Sequence, residues 1–278
     1  MKRILATFLT ATTLCLSLAS NSFAGTFQVS GGIEGARLNY KEYVEGQKVD
    51  QDKAGLIGNG IAPNGFEEIR YDNNKFFVRE DYDQVRSYTA RYSDITGVQT
   101  PTKEKITQVE FDMGLHRMLL TIGKQAFGVS PYAGIGYRTW ERGIDTDAIY
   151  RERQKWGFLA AGVEARTISG RWIWGADAAV LKPFDVTTST NFEGLTDNVT
   201  MKSKPKVGWR VRVPVSYSVW RSEKVDVALA AIPYIEQWRF SRGADTDVTL
   251  AGETVGSAFA PTRTSTMIGC KFGVKVTF

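Results

Sequence analysis

The residues that could carry chemistry are acidic and basic side chains spaced two apart along segments of alternating polarity. Side chains of one parity share one face of a strand, so Asp81 lies beside Asp83, as Glu110 lies beside Asp112. Paired carboxylates can serve general acid–base hydrolysis, but carboxylates mixed with arginines form ion pairs, because an unpaired buried charge is costly. We predict one charge network on the polar faces, made of Arg79, Asp81, Asp83, Glu110, Asp112, His116, Arg138, Glu164, Arg166, Asp177, Arg210, Arg212, Lys271 and Lys275.

Few side chains are available for other catalytic or metal chemistry. The chain has one histidine, His116, which has no aspartate beside it, and two cysteines. A serine nucleophile needs a neighbouring base, and a zinc site needs several histidine or cysteine ligands. We therefore predict no catalytic residue, no metal site and no cofactor, and we interpret His116 as a hydrogen-bonding residue of the polar face.

The charged residues lie on segments whose hydrophobicity alternates with the two-residue period of a strand. The clearest segment runs from Val207 to Val219, where valines and aromatic residues alternate with small, polar and basic residues. Ten such segments can be counted between Phe27 and Phe278, and the weakest, residues 53–71, is interrupted by glycines and Pro63. Most are longer than the roughly 5–6 residues that are usual in globular sheets.

The connections between these segments alternate between short and long. Short turns fall near Asn73, Lys124, Ser169 and Ser222, and the long loops are Glu45–Asp52, Thr187–Thr200 and Gly243–Arg263. Membrane β-barrels show this alternation, with the short turns in the periplasm. We predict an all-β fold, a closed antiparallel transmembrane β-barrel of about ten strands over residues 25–278, with eight or twelve strands as alternatives. The strand count depends most on residues 45–75.

A soluble β-sandwich or lipocalin-like barrel would also have alternating strands. Two features favour the membrane instead. The polar faces carry many charges while small and aliphatic residues cover the opposite faces, and the strands are long. Trp172, Trp174 and Trp220 lie beside predicted periplasmic turns, where an interfacial aromatic girdle is expected. Trp140 and Trp156 share the parity of the charged residues, so we expect them to pack above the bilayer or to line the barrel mouth.

The N-terminus differs from the remaining chain. Lys2 and Arg3 precede an apolar run, and Ser22-Phe23-Ala24 supplies small residues, which predicts a signal peptide over residues 1–24 that is cleaved after Ala24. Loss of Lys2 and Arg3 lowers the formal charge from +5 to +3, too little to favour nucleic acid. Cys270 would then remain alone, so no intramolecular disulfide is expected. No later apolar run has the roughly 18 residues of a membrane helix.

The last predicted strand ends in a defined pattern: Lys271, a glycine two residues later (Gly273), the hydrophobic Val276 and the aromatic Phe278. This stretch resembles the C-terminal assembly signal of bacterial outer-membrane β-barrel proteins, although no specific characterised family is matched. The resemblance implies a Gram-negative outer membrane, contact with its lipid and lipopolysaccharide, and recognition by the barrel assembly machinery.

Ten-stranded barrels of this class include the omptin proteases, which use an aspartate pair and an Asp–His pair at the outer rim. Asp81 and Asp83 have the spacing of such a pair, but His116 lies near the periplasmic end, so this resemblance reaches only the architecture. Ten strands enclose a narrow lumen, since open channels appear at about 16 strands. We expect a structural or surface-binding role through the extracellular loops, with an extracellular ligand and no enzymatic activity. The alternatives are a narrow channel for small solutes or ions and an omptin-like or lipid-modifying rim hydrolase.

Overall fold

The structure of the protein is a computed structural model. It describes residues 25–58, 65–73, 75–93, 99–115, 118–122, 125–143, 150–192 and 196–278. The predicted signal peptide and His116 lie outside these residues. Within the described ranges, no helix is long and apolar enough to cross a membrane.

The described residues form sixteen strand segments. In chain order they are β1 (Gly25–Val44), β2 (Gln47–Gly58), β3 (Gly65–Asn73), β4 (Phe76–Ser93), β5 (Gln99–Leu115), β6 (Met118–Ile122), β7 (Gln125–Arg142), β8 (Tyr150–Ser169), β9 (Trp172–Phe192), β10 (Val199–Lys202), β11 (Lys204–Arg212), β12 (Val215–Arg221), β13 (Asp226–Ser241), β14 (Thr246–Leu250), β15 (Glu253–Ala258) and β16 (Thr262–Thr277).

These segments build a closed barrel of ten antiparallel strands, which confirms the predicted fold. Three barrel strands consist of successive segments, namely β2 with β3, β5 with β6, and β10 with β11 and β12. Closure occurs between β16 and β1, which pair from Gln28 opposite Thr277 to Tyr43 opposite Thr262. The strand that the sequence indicated only weakly is divided into β2 and β3, and both segments pair with β1.

The barrel wall has apolar side chains outside and charged side chains inside. Ile33 and Ile135 are about half exposed on the outer surface, at 50% and 53%. Glu34, Glu110 and Asp112 are buried on the inner surface. Because a soluble barrel would show the opposite arrangement, this outer surface fits a hydrocarbon environment.

The strands continue beyond this apolar band at the end opposite the four short turns. Outward positions there carry Lys41, Lys53, Lys105 and Arg153. A lipid-facing lysine or arginine is destabilising, so this end of the barrel, which we call the outer end, extends beyond the apolar band of the membrane. At the other end, the exposed Trp172, Trp174 and Trp220 lie beside the turns, as expected for an aromatic girdle.

The three predicted long loops are largely strands, and the prediction was wrong in this respect. Glu45 and Gly46 alone connect β1 to β2, with φ values of 51° and 82°, as a two-residue hairpin turn requires. Most of Thr187–Thr200 extends β9 or begins β10, and Gly243–Arg263 contains the β14–β15 hairpin. Polar composition indicated loops because these strands are solvated on their outer faces.

Asp197 holds the β14–β15 hairpin against the loop before β10. Its carboxylate accepts hydrogen bonds from the Thr249 hydroxyl at 2.8 Å and the Gly252 amide at 3.2 Å. The first of these hydrogen bonds makes the larger contribution to lowering the pKa of Asp197. On the inner side of the hairpin, Val248 and Ala258 pack against Val199 and Met201.

Replacing Asp197 with alanine should loosen the hairpin without unfolding the barrel. Amide hydrogen exchange over residues 246–258 is expected to accelerate several-fold, because the hydrogen bonds that tie down the turn are lost. Asp245→Ala is the matched control, since Asp245 pairs with Arg242 beside the hairpin and both side chains are exposed. Equal exchange in the two variants would contradict this role of Asp197. As the pKa is depressed, the anchor should weaken only when the pH falls through that lowered value.

Candidate functional site in the barrel lumen

Arg79 on β4 is the centre of a buried charge network, which we call the lower network. Its guanidinium lies 2.5 Å from Asp112 and 3.3 Å from each of Asp81, Glu164 and Asp177. These carboxylates come from β4, β5, β8 and β9, so one arginine joins opposite parts of the wall. Arg79 itself is 3% exposed, which makes these ion pairs inaccessible to bulk water.

Two further arginines from β11 complete the lower network. Arg212 bridges Asp81 at 2.9 Å and Asp177 at 3.2 Å. Arg210 makes a two-pronged contact with Glu110, one of whose hydrogen bonds measures 2.9 Å. Bidentate arginine–carboxylate pairs are among the stronger charge-assisted hydrogen bonds. The structure therefore brings together the arginines and carboxylates of β4, β5, β8, β9 and β11 that the sequence indicated.

The remaining predicted residues occupy the edges of this network. Lys271 contacts Asp83, and Arg166 lies 2.7 Å from Glu164. Lys275 donates a hydrogen bond to Ser216 at 2.9 Å. Arg138 stands apart, at a higher level, where it contacts Glu236 and donates to Gln108 at 2.8 Å.

Several lumen residues were missed by the sequence analysis. Arg70 contacts Glu164 and Asp72, both at 2.9 Å, yet Arg70 lies in the weak second strand and Asp72 lies next to the turn predicted near Asn73. Tyr132 donates to Asp177 at 3.0 Å, and Tyr234 donates to the buried Glu34. Strict alternation counted along β3 from Phe66 would have placed Arg70 and Asp72 on the inner face.

Aromatic side chains fill the lumen above the lower network. Trp140 packs edge-on against Tyr40, with ring centroids 4.6 Å apart. Trp156 packs against Trp238 at 5.5 Å and Phe240 at 5.2 Å. Trp140, Trp156 and Trp238 are each 1% exposed. Trp140 and Trp156 share the inward face of the charged residues, as their parity predicted, and both are buried inside the wall; whether they lie above the bilayer stays a prediction.

Three lower-network carboxylates lie close enough together to suggest a cation site. Oxygens of Asp81, Glu110 and Asp112 lie within 4.8 Å of one another. Each carboxylate, however, already contacts a guanidinium: Arg212 on Asp81, Arg210 on Glu110 and Arg79 on Asp112. Because each carboxylate is paired with an arginine, we interpret this group as part of the salt-bridge network.

A second buried set of charges, the outer cluster, lies at the end of the barrel above the apolar band. It comprises Glu42, Asp50, Asp52, Glu104, Arg142, Glu152 and Arg263. Arg142 is its centre, at 3.2 Å from both Asp50 and Glu152 and also in contact with Asp52. Arg263 directs its donors mainly to hydroxyls, Thr188 at 2.7 Å and Ser203 at 2.5 Å.

The outer cluster contains more carboxylates than it can neutralise. Burial raises the pKa of Glu104 to about 8, and repulsion from Asp52 adds to this effect. Burial likewise raises the pKa of Glu42 to about 7, with Glu152 as the nearby repelling charge. Burial raises the pKa values of Asp50 and Asp52 to about 6, although Arg142 acts in the opposite direction on both.

Open space within the described residues is concentrated at the outer end. The lumen contains two small cavities of about 50 and 20 Å³, one beside Arg79 and one beside Arg138. A larger cavity of about 200 Å³, the outer cup, lies between the barrel wall and the β14–β15 hairpin. Of these three cavities, the outer cup alone has room for a small molecule, whereas the two beside the lumen charges hold little more than water.

The residues of the predicted assembly signal lie on both faces of β16. Lys271 is buried in the lumen, whereas Phe278 is 58% exposed and its ring lies 6.3 Å from that of Phe27. At Gly273, a Cβ atom would approach the Gly31 carbonyl oxygen to 2.2 Å. Glycine is thus required there by the close approach of β1 and β16, independently of any recognition. The recognition of Val276 and its neighbours by assembly machinery stays a prediction.

The closed ten-stranded barrel, with apolar side chains outside and charged side chains inside, defines the class of this protein: it is an outer-membrane β-barrel protein. No protein-family model matches the chain, and no curated protein matches it. Its likeness to known proteins is therefore one of three-dimensional structure.

Solved outer-membrane barrels resemble the chain at low sequence identity. The outer-membrane protease OmpT from Escherichia coli is 12% identical, with a TM-score of 0.56, over 92% of this chain and 98% of OmpT. The translocator domain of the autotransporter NalP from Neisseria meningitidis is 10% identical, with a TM-score of 0.36, over 98% of this chain and 95% of that domain. We base the comparison on OmpT, and at this identity it concerns the fold alone.

Proposed function

We propose that this protein is a plugged barrel of the outer membrane that binds an extracellular ligand at its outer end and does not conduct solutes. The observation that carries the proposal is the filled cross-section of the lumen. Trp140, Trp156 and Trp238 are each 1% exposed inside the wall, and the paired charges of the lower network lie beneath them. The strands that stand above the apolar band then supply the surface available for binding.

A narrow channel is the alternative, and the arrangement of charges argues against it. Selective pores use rings of charge of one sign around a water-filled path. Here Arg79 and Arg212 are interleaved with Asp81 and Asp177 in direct contact. Moving an ion through this region would require breaking buried ion pairs, which is costly.

The proposal includes no catalytic activity, although OmpT shares the architecture. Asp81 and Asp83 lie in the first half of the 18-residue strand β4, which runs from Phe76 beside the short turn to Ser93 at the outer end, and so they lie below the outer rim. Asp81 contacts Arg79 and Arg212, and Asp83 contacts Lys271. A carboxylate held in such pairs is a poor general base, because its protonation would leave buried cations unpaired.

The cellular context forms part of the same proposal. Export through a signal peptide cleaved after Ala24 would deliver the chain to the periplasm, and the assembly machinery would read Lys271, Gly273, Val276 and Phe278. The apolar outer surface would then contact outer-membrane lipid and lipopolysaccharide. No nucleic-acid partner is proposed, because the net charge is only mildly basic.

Cysteine labelling on intact cells tests the proposed orientation. In a Cys270→Ser background, Val255→Cys on the exposed hairpin should react with a membrane-impermeant maleimide added outside. Arg171→Cys, in the turn between β8 and β9, should react only after the outer membrane is permeabilised. The same reagent and background make the two variants matched controls for each other. Labelling of Arg171→Cys alone on intact cells would overturn the proposal, because the cup would then face the periplasm.

A further inference from the structure

The outer cup has two chemically different walls. Glu42 and Glu152 supply carboxylates, and Thr190 supplies a buried hydroxyl. The opposite wall is apolar and is formed by Val199 and Met201 together with the underside of the β14–β15 hairpin. A cavity of about 150 Å³ can hold benzene, so the cup, at about 200 Å³, has room for a small organic molecule.

The charge beneath and beside the cup is unbalanced. The outer cluster holds five carboxylates against two guanidiniums, Arg142 and Arg263. Because burial keeps Glu104 protonated at neutral pH, the four others leave an excess of two negative charges. The imbalance is also visible in individual atoms of buried side chains. Asp50 Oδ1, Asp52 Oδ1 and Glu104 Oε1 accept no hydrogen bond from the described residues. These three residues belong to the outer cluster but do not line the cup, so a cation in the cup would lower the repulsion among their carboxylates without contacting them.

The lining also selects the type of cation. A metal ion needs several oxygen ligands close together. The group of three carboxylates that could supply them, Asp81, Glu110 and Asp112, lies in the lower network and not in the cup. The apolar wall of the cup offers a metal ion no ligand. Arg263 lines the cup as well; its two terminal nitrogens donate to Thr188 and Ser203, and one of them also lies 3.9 Å from Glu152. An ammonium group carried on a short hydrocarbon would satisfy both walls, because the charge would meet the glutamates while the hydrocarbon contacts Val199 and Met201.

We propose that the outer cup binds a small organic cation of the alkylammonium class, with its charged group at Glu42 and Glu152. This inference rests on the proposed surface-binding function and names the chemical class of the ligand. The β14–β15 hairpin forms one wall of the site, so Asp197, which anchors the hairpin, positions that wall without touching the ligand.

Calorimetric titration of the purified protein in lipid nanodiscs tests this proposal. n-Butylammonium is the probe, 1-butanol is its neutral analogue and butyrate is its anionic analogue. We expect saturable binding of butylammonium at pH 7.5, and affinities for butanol and butyrate at least tenfold weaker. Glu42→Gln and Glu152→Gln, made separately, should each weaken butylammonium binding by about tenfold, the effect of some 1.4 kcal/mol. Glu253→Gln, which alters an exposed hairpin carboxylate outside the cup, should bind like the parent.

Several results would overturn the proposal. The first is a titration that shows no binding heat up to millimolar butylammonium. The second is an affinity for butanol equal to that for butylammonium. The third is an affinity for butylammonium that is unchanged in both Glu42→Gln and Glu152→Gln. Circular dichroism and heat-modifiable migration in gels verify that each variant is folded, and these substitutions remove excess negative charge, so folding is expected. If butylammonium does not bind but Val255→Cys is labelled on intact cells, the alkylammonium ligand class is rejected and the proposed surface-binding function is retained.

Discussion

Replacement of Arg79 by methionine is expected to destabilise the barrel more than any other single change in the lumen. The substitution leaves Asp112, Glu164 and Asp177 buried without the guanidinium they share. Breaking a buried ion pair by removing one partner typically costs about 3–5 kcal/mol, and Arg79 has several such partners. Arg212 still faces Asp177, which limits the loss.

Equilibrium unfolding by guanidinium chloride in lipid vesicles measures this effect. Arg153→Met is the matched control, because Arg153 pairs with Glu141 at 3.2 Å on the outer, exposed face; such surface pairs contribute about 0–1 kcal/mol. Adding Asp112→Asn to Arg79→Met should restore part of the stability by removing an unpaired charge. A loss in Arg79→Met no greater than in Arg153→Met would show that the lower network does not stabilise the lumen.

Replacement of Glu104 by glutamine should stabilise the protein, and increasingly so as the pH rises. Burial raises the pKa of Glu104 from 4.5 to about 8, so the folded state favours the protonated carboxyl. The favourable contribution of that proton is present at low pH and is lost as the pH rises from about 4.5 to about 8. Glutamine resembles the protonated acid and keeps an oxygen for the Trp140 indole, which donates to Glu104 at 3.3 Å.

Unfolding free energies at pH 5 and pH 8.5 test the prediction. We expect Glu104→Gln to match the parent at pH 5 and to exceed it by roughly 2–4 kcal/mol at pH 8.5, given about 1.4 kcal/mol per pKa unit. Glu253→Gln, on the exposed hairpin, should show no such divergence. A gain that is the same at both pH values would argue against a buried, protonated Glu104.

Much of the architecture could be predicted from the sequence because a strand has a fixed two-residue period. Alternation placed Lys271 and Lys275 on the inner face and Phe272 and Val274 on the outer face, as the structure has them. Counting the alternating segments gave ten strands, which is the number in the barrel. The split of the second barrel strand into β2 and β3 was hidden, since glycines lower its strand propensity.

Which charges meet could not be predicted, because pairing across a lumen depends on the stagger of the whole barrel. Arg70 meets Glu164 across 94 residues of sequence, and Arg212 meets Asp81 across 131 residues. Arg138 was grouped with the same charges by parity alone, yet it lies at the level of Trp156 and Trp238. The odd or even position of a residue in a strand predicts which face it lies on. Its height along the barrel axis depends on how the strands are paired, which the sequence does not show.

The outer cluster was missed for a different reason. Asp50 and Asp52 were assigned to a loop because polar residues dominate the segment, and Glu152 was not assigned to the inner face. In the structure all three residues lie on strands whose inner faces point into the outer end of the barrel. The glycine of Glu45-Gly46 was the available sequence signal, since two-residue hairpin turns favour glycine.

The central claim is that the lumen is closed, and single-channel recording in planar lipid bilayers tests it most directly. The purified protein should give flat current traces at ±100 mV in 1 M KCl, while an open porin inserted under the same conditions gives discrete steps. Insertion can be verified by recovering heat-modifiable protein from lipid vesicles prepared with the same protein and lipid. Reproducible current steps with the parent protein would contradict a lumen plugged by Trp140, Trp156 and the lower network.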